Sequence, residues 1–382
     1  MTRTAKFLAE LITLPSVNPA FAAHGTGSMR QARQIYGEKN VADFLAATAA
    51  AAGLDVEFQN VFPGRRNLIA RLTSRGEIRQ RILLAPHMDT VGADESKYIP
   101  RHKSGRLYGR GACDTKGSVA AMLSAVCEIA KSKSRSQHTE IIFAGLIDEE
   151  HGQAGSRALA KSGLKADLAI VGEPTNCRVV TAHKGSLWLN LETRGLAAHG
   201  ATPHLGKNAV HEMARIVDLL ETDYAARLRK RKHKLLGAGT INVGKISGGT
   251  QPNIVPAACV IEIDRRTLPG ETEKSVLMEI RALLASKKLS AKISSAKLAP
   301  ALPMETDCKL PLVRNFLRSA GQQRPEGVDY FCDASVLSAA GIPSVVFGPG
   351  NIAQAHTADE WISLAQLERA KGMLVRFFTS LP

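Results

Sequence analysis

Four short apolar runs, each ending in a residue able to bind a cation, constrain this 382-residue chain more than any other feature. The runs are 81–86 (RILLAP), 141–147 (IIFAGLI), 167–171 (DLAIV) and 344–347 (SVVF). They lead into His-Met-Asp, Asp-Glu-Glu, Gly-Glu-Pro and a Gly-Pro-Gly loop that reaches His356. Their length and aliphatic content fit strands buried on both faces, and the Ala-rich stretches between them fit covering helices. Together they predict an α/β fold with a mainly parallel sheet. Ligands of open α/β sheets bind beyond the carboxyl ends of the strands, so four such endings predict one shared site.

The chain is too long for one ordinary hydrophobic core, so two domains are expected. From Thr181 the texture changes to KGSLWLNLETRG, a helix from Asn208, then TINVGKISGG and CVIEIDRRT. This predicts an α+β domain inserted over 181–293, which divides the larger domain into 1–180 and 294–382, with hinges near 180 and 293. Hydrophobic residues at 44% and charged residues at 22% match a folded globular chain and argue against disordered or fibrous classes. No apolar stretch approaches a membrane span, and Glu10 interrupts the N-terminal pattern, which therefore predicts an amphipathic helix rather than a signal peptide. A cytoplasmic location and six free thiols are expected, because no cysteine pair has C-x-x-C spacing. The net charge of +15 and the run LRKRKHK at 228–234 invite a nucleic-acid or membrane reading. With aromatics at 5% and no recognised motif around that run, neither partner is expected, and the run reads as a solvated helix end.

The strand endings supply the candidate chemistry. His87 and Asp89 are two apart in an extended segment and point the same way, so one can bind a metal while the other orients it. Asp114, in GRGACDTKG, follows a tight glycine loop; it reads either as the cap of the next helix or as a carboxylate whose two oxygens bridge two cations. Glu149 and Glu150 are adjacent and diverge in direction, which suits one acid binding metal while its neighbour faces the reacting water. Pro174 holds Glu173 extended, and His356 follows the glycine-rich loop.

Taken together, HMDTVG, GRGACDTKG, IDEEHG, VGEPT, LAAHGATPHLGKNA, GGTQPNIVP, DRRTLPGET and GPGNIAQAHTADEWI occur in one order over nearly the full length. In this the chain resembles the M20 metallopeptidases and deacylases, a group that includes acetylornithine deacetylases, succinyl-diaminopimelate desuccinylases, aminoacylases and carboxypeptidases. The resemblance implies a catalytic domain carrying an inserted lid and dimerisation domain. It implies two divalent ions, zinc first and cobalt or manganese as substitutes, with His87 and Glu173 on one, Glu150 and His356 on the other, and Asp114 bridging. Glu149 is then the general base and Asp89 its neighbour in the catalytic set. His199 is implied as an oxyanion-stabilising donor, Arg266 as the holder of the substrate carboxylate and Asn253 as a substrate-contacting amide. Of Arg265 and Arg266, one is expected to face solvent. The chain departs from the family pattern at FCDASVL, where Asp333 is a candidate for receiving a cationic substrate amine.

The reaction implied is hydrolysis of an N-acyl amino acid, most like acetylornithine deacetylase, by a lid-mediated homodimer. A desuccinylase or a carboxypeptidase or dipeptidase is the alternative within the class. A binding protein on the same scaffold is the alternative outside it.

Overall fold

The computed structural model describes residues 1–22, 36–296 and 301–382. The chain divides into two compact units, the first formed by 1–181, 306–326 and 332–382, the second by 182–305 and 327–331. The second boundary thus falls near 305, beyond the hinge expected near 293, because residues past 291 still add a strand to the sheet of the second unit.

In chain order the first unit opens with helix α1 (Arg3–Ile12), helix α2 (Lys39–Ala51) and the hairpin of β1 (Asp55–Phe62) and β2 (Arg65–Leu72). It continues through β3 (Gln80–Pro86), α3 (Lys116–Ala130), β4 (Thr139–Gly145), α4 (Ala154–Lys161), β5 (Leu168–Gly172) and β6 (Val180–His183), whose last two residues belong to the second unit. The second unit contains β7 (Gly185–Arg194), α5 (Ala209–Leu219), β8 (Thr240–Gly248), β9 (Ala258–Thr267), α6 (Glu273–Ser286) and β10 (Lys292–Ser295). The chain then returns to the first unit for β11 (Ser344–Val346) and α7 (Leu364–Thr379).

The first-unit sheet runs in the order β1-β2-β4-β3-β5-β11-β6. Its centre is the four apolar runs, with β3 parallel to both β4 and β5, and β11 parallel to β5. The expected mainly parallel α/β sheet is therefore present, and antiparallel pairing is confined to its flanks. All seven residues of β4 are buried, as a strand covered on both faces requires. On one face α3 packs between α1 and α7, and its Val119, Leu123, Val126 and Ile129 enter the core with Phe316, Phe347 and Phe377. Each such side chain contributes about 1.5–3 kcal/mol by leaving water.

The second unit is a four-stranded sheet in the order β8-β9-β7-β10, with α5 and α6 closing a separate core of Leu189, Leu191, Met213, Ile216, Ile261, Ile263 and Ile280. Alternation along β9 sends Cys259, Ile261, Ile263 and Arg265 inward. The helix expected from Asn208 starts there, because the Asn208 side chain caps it by accepting from Val210 N–H and His211 N–H.

Candidate metal centre and active site

Each central strand releases the chain into a polar turn at its carboxyl end. His87 lies one residue beyond β3, and Glu173 one beyond β5. Asp114 sits in the loop before α3, and Glu150 in the turn that follows β4. His356 follows β11 through a loop whose glycines are sterically required. A Cβ on Gly348 would come within 2.2 Å of Ser118 Oγ and 2.5 Å of the Glu173 carbonyl, and Gly350 has φ +93° against Cys113. Close approach at these glycines presses the His356 loop onto the segments bearing Glu173 and Asp114.

The result is two donor groups that share one carboxylate. His87, Asp114 and Glu173 form one, and Asp114, Glu150 and His356 the other, with the donor atoms of each within 4.8 Å of one another. His87 Nε2 lies 3.2 Å from Asp114 Oδ1 and 3.8 Å from Glu173 Oε1. His356 Nε2 lies 2.9 Å from Glu150 Oε2 and 3.4 Å from Asp114 Oδ2. Asp114 does not cap α3: the cap position is Thr115, and the Asp114 carboxylate is occupied by the two imidazoles.

Acids outnumber bases here, and their ionisation reflects it. Burial, reinforced by neighbouring carboxylates, pushes Glu149, Glu150 and Glu173 up from the ordinary range. Burial also raises Asp114, but hydrogen bonds to His356 and His87 outweigh it and hold that carboxyl below its usual range. Bonds to Asp114 and Glu150 push His356 up to about 10. Two buried oxygens, Glu150 Oε1 and Glu173 Oε1, have no hydrogen-bond partner among the described residues. Orphaned oxygens in a pocket of excess carboxylate are what a cation would satisfy. The mixed imidazole and carboxylate set suits zinc and the neighbouring first-row divalent ions.

Asp89 holds this arrangement from behind. His87 Nδ1 lies 2.9 Å from the Asp89 carbonyl and 3.5 Å from its carboxylate. That carboxylate instead accepts from Glu149 N–H at 3.0 Å and Glu150 N–H at 3.1 Å, fixing the turn that carries both glutamates. Asn18 Nδ2 donates to Asp89 at 2.8 Å and to Asp148 at 3.0 Å. Asp148, in the left-handed region at φ 66°, also pairs with Arg65, which in turn holds the buried Glu38.

Sequence reading missed Asn18, Glu38 and Arg65, and also the fully buried Lys116. The Lys116 ammonium donates to the carbonyls of Leu11 and Leu14, tying the end of α1 to the Asp114 loop. The available signal was a lysine opening an apolar helix, which ordinarily reads as exposed.

Asp333, the candidate for receiving a substrate amine, is 1% exposed; its Oδ1 accepts from Ser156 Oγ at 2.6 Å and its Oδ2 has no hydrogen-bond partner among the described residues. It belongs to the packing between α4 and the short helix Ala334–Ala339.

His199, Asn253 and Arg266 lie in the second unit. His199 and Ile254 form an isolated antiparallel bridge, and Gly200 N–H donates to the Asn253 carbonyl at 2.7 Å, so His199 and Asn253 are neighbours. Arg265 is the fully buried member of its pair, bound to Glu271 at 2.6 Å and to Tyr224. Arg266 is 30% exposed in its side chain, with Nε on Asp264 at 2.9 Å. All six cysteines are free thiols. No helix among the described residues is long and apolar enough to cross a membrane.

Comparison with known proteins agrees with this architecture. Residues 83–380 match peptidase family M20/M25/M40. An acetylornithine deacetylase of Myxococcus xanthus is 32% identical over 347 residues, covering 87% of this chain and 90% of the relative. The aminopeptidase PepT of Bacillus cereus superposes with a TM-score of 0.78 at 21% identity, over 99% of this chain and 97% of its own. A dinuclear metal-binding M20 peptidase of Bacillus subtilis does so with 0.70 at 12% identity, over 99% and 97%. The chain belongs to peptidase family M20/M25/M40 and is a metal-dependent amide hydrolase.

Proposed function

We propose that this chain removes the acyl group from an N-acyl amino acid, with N-acetylornithine as the first substrate to test. The observation that carries this reading is the pair of donor groups sharing Asp114, with Glu149 beside them on the turn fixed by Asp89. Its support for the substrate class is the similarity to acetylornithine deacetylase over most of both chains.

In this reading His87, Asp114 and Glu173 hold one divalent ion and Asp114, Glu150 and His356 the other, zinc being the native choice. A bound divalent pair supplies Lewis-acid polarisation of the scissile carbonyl and activation of water at neutral pH. Glu149 takes the proton of the attacking water and delivers it to the leaving nitrogen, a role suited to a carboxyl that burial raises above the ordinary carboxylate range. Asp89 orients His87 through its carbonyl and holds Glu149 in place through the backbone. Arg266 receives the substrate carboxylate on its planar guanidinium, His199 donates to the oxyanion and Asn253 contacts the substrate. A homodimer formed through the second unit completes this reading.

The test is a hydrolysis screen of N-acetyl, N-succinyl and dipeptide substrates by zinc- or cobalt-loaded protein. N-acetyl amino acids should be cleaved fastest, and Glu149→Gln should lose about 10²–10⁴-fold in kcat while retaining both ions. Preferential dipeptide cleavage would move the chain to the peptidase branch, and an active Glu149→Gln would remove the assigned base.

A further inference from the structure

Glu360 is 3% exposed and lies outside every role assigned above. Its two oxygens receive four donors. Oε1 accepts from Cys113 N–H at 2.7 Å and Asp114 N–H at 2.9 Å. Oε2 accepts from Gly111 N–H at 2.9 Å and Arg110 Nη1 at 2.8 Å. Three backbone N–H groups of the Asp114 loop thus rest on one carboxylate, 246 residues from Asp114 in sequence.

Arg110, itself 5% exposed, extends that hold to a second segment. Its Nη2 donates at 3.2 Å to the carbonyl of Thr357, the residue immediately after His356. His356 needs such support more than His87 does. The His356 side chain is 55% exposed on a left-handed backbone with φ 60°, whereas the His87 side chain is 1% exposed and bonded through Nδ1. A non-glycine residue in that backbone region is strained and persists only where neighbours hold it.

We propose that Arg110 and Glu360 are a positioning pair that sets the spacing of Asp114 and His356, and so controls the affinity of the ion on Glu150 and His356 more than that on His87 and Glu173. The inference rests on the two-ion reading above. Groups that orient metal ligands typically change affinity about 10–100-fold when removed, so the effect is measurable. A purely structural ion pair would change fold stability and leave the two affinities in their original ratio.

The experiment is calorimetric titration of metal-free protein with zinc, comparing wild type with Arg110→Lys, Glu360→Gln and His356→Ala. The step lost in His356→Ala identifies the ion on that side. Arg110→Lys keeps a cation beside Glu360 but offers no planar second nitrogen to the Thr357 carbonyl, so it carries the test even if Glu360→Gln fails to fold. It should weaken the His356-side ion by about 10-fold or more and the other by less than about 3-fold, with the unfolding midpoint of the metal-free protein unchanged. Equal weakening of both ions, or none, overturns the positioning pair while leaving the two-ion reading intact. Wild-type protein that takes up fewer than two ions overturns both.

Discussion

Two clusters of ionisable groups, each with a buried heart and an exposed member, differ in charge balance: one has carboxylate in excess, the other is matched. In the first unit, His87 and His356 face Asp114, Glu149, Glu150 and Glu173, with Glu150 Oε1 and Glu173 Oε1 lacking a hydrogen-bond partner among the described residues. In the second unit, Arg265 and Arg231 face Glu271 and Glu279, with Tyr224 between them. There Arg265 donates to Glu271 and to the Tyr224 oxygen, and Tyr224 donates to Glu279 at 3.0 Å. Matched charge with matched donors closes on itself and fixes a fold. Unmatched carboxylate converging on one point calls for a cation from outside. Burial alone does not distinguish them; charge count and direction do.

The strongest way to break this contrast is to change the shared carboxylate. Asp114→Asn should cost roughly a thousandfold or more in kcat/KM, the several kcal/mol that metal ions supply to catalysis. The same substitution should abolish the thermal stabilisation that zinc confers. At free metal a hundredfold above Kd, each ion stabilises the wild type by about 2.7 kcal/mol, so a chelator should lower its melting temperature. An Asp114→Asn protein that still gained the full stabilisation would show that the ions sit elsewhere.

The balanced cluster should respond in the other currency. Arg265→Met removes the buried cation from Glu271 and leaves it Arg231 at 3.5 Å and the Leu268 N–H, so the loss should approach the about 3–5 kcal/mol of a broken buried pair without exceeding it. Urea unfolding should show that loss. Adding Glu271→Gln should recover part of it, while zinc stoichiometry stays at the wild-type value in both variants. A neutral outcome for Arg265→Met would mean that the cluster stores little stability, and the contrast would then rest on the first unit alone.

The same contrast explains what could be read from sequence. His87, Glu150, Glu173 and His356 were visible because each terminates or closely follows a recognisable strand, and strand ends on one sheet edge converge by topology. Asp114 was ambiguous with a helix cap until its carboxylate was seen between two imidazoles. Glu360 and Arg110 were invisible: they act through backbone N–H and C=O groups, which no residue pattern records, over 250 positions of sequence. Arg265 and Arg266 are indistinguishable as letters. Only the pleat, which turns adjacent residues of β9 to opposite faces, makes one the buried partner of Glu271 and leaves the other open. Asp333 is at least as buried as the proposed metal ligands, and the Ser156 bond that holds one of its oxygens could not be read from the residue pattern around it.

A third arrangement, a buried group with no counter-charge at all, tests the rule at smaller scale. His183 on β6 is fully buried, with Nδ1 against the Lys184 carbonyl and Nε2 lacking a hydrogen-bond partner among the described residues. Burial lowers its pKa from 6.5 to about 4, so the folded protein keeps it neutral where the unfolded chain would protonate it. The unfolded state then binds more protons between those two values. The stability associated with neutral His183 is therefore fully present above pH 6.5 and is lost as pH falls toward 4. The whole effect is on the order of 3 kcal/mol, below that expected for Arg265→Met because no partner charge is abandoned. His183→Gln remains neutral throughout, so its unfolding free energy should fall less than that of the wild type between pH 7 and pH 4.5, by about 2 kcal/mol. Carboxylates common to both proteins cancel in that difference. Parallel curves would mean that water reaches Nε2, and that an uncompensated ionisable group can be buried here without controlling stability.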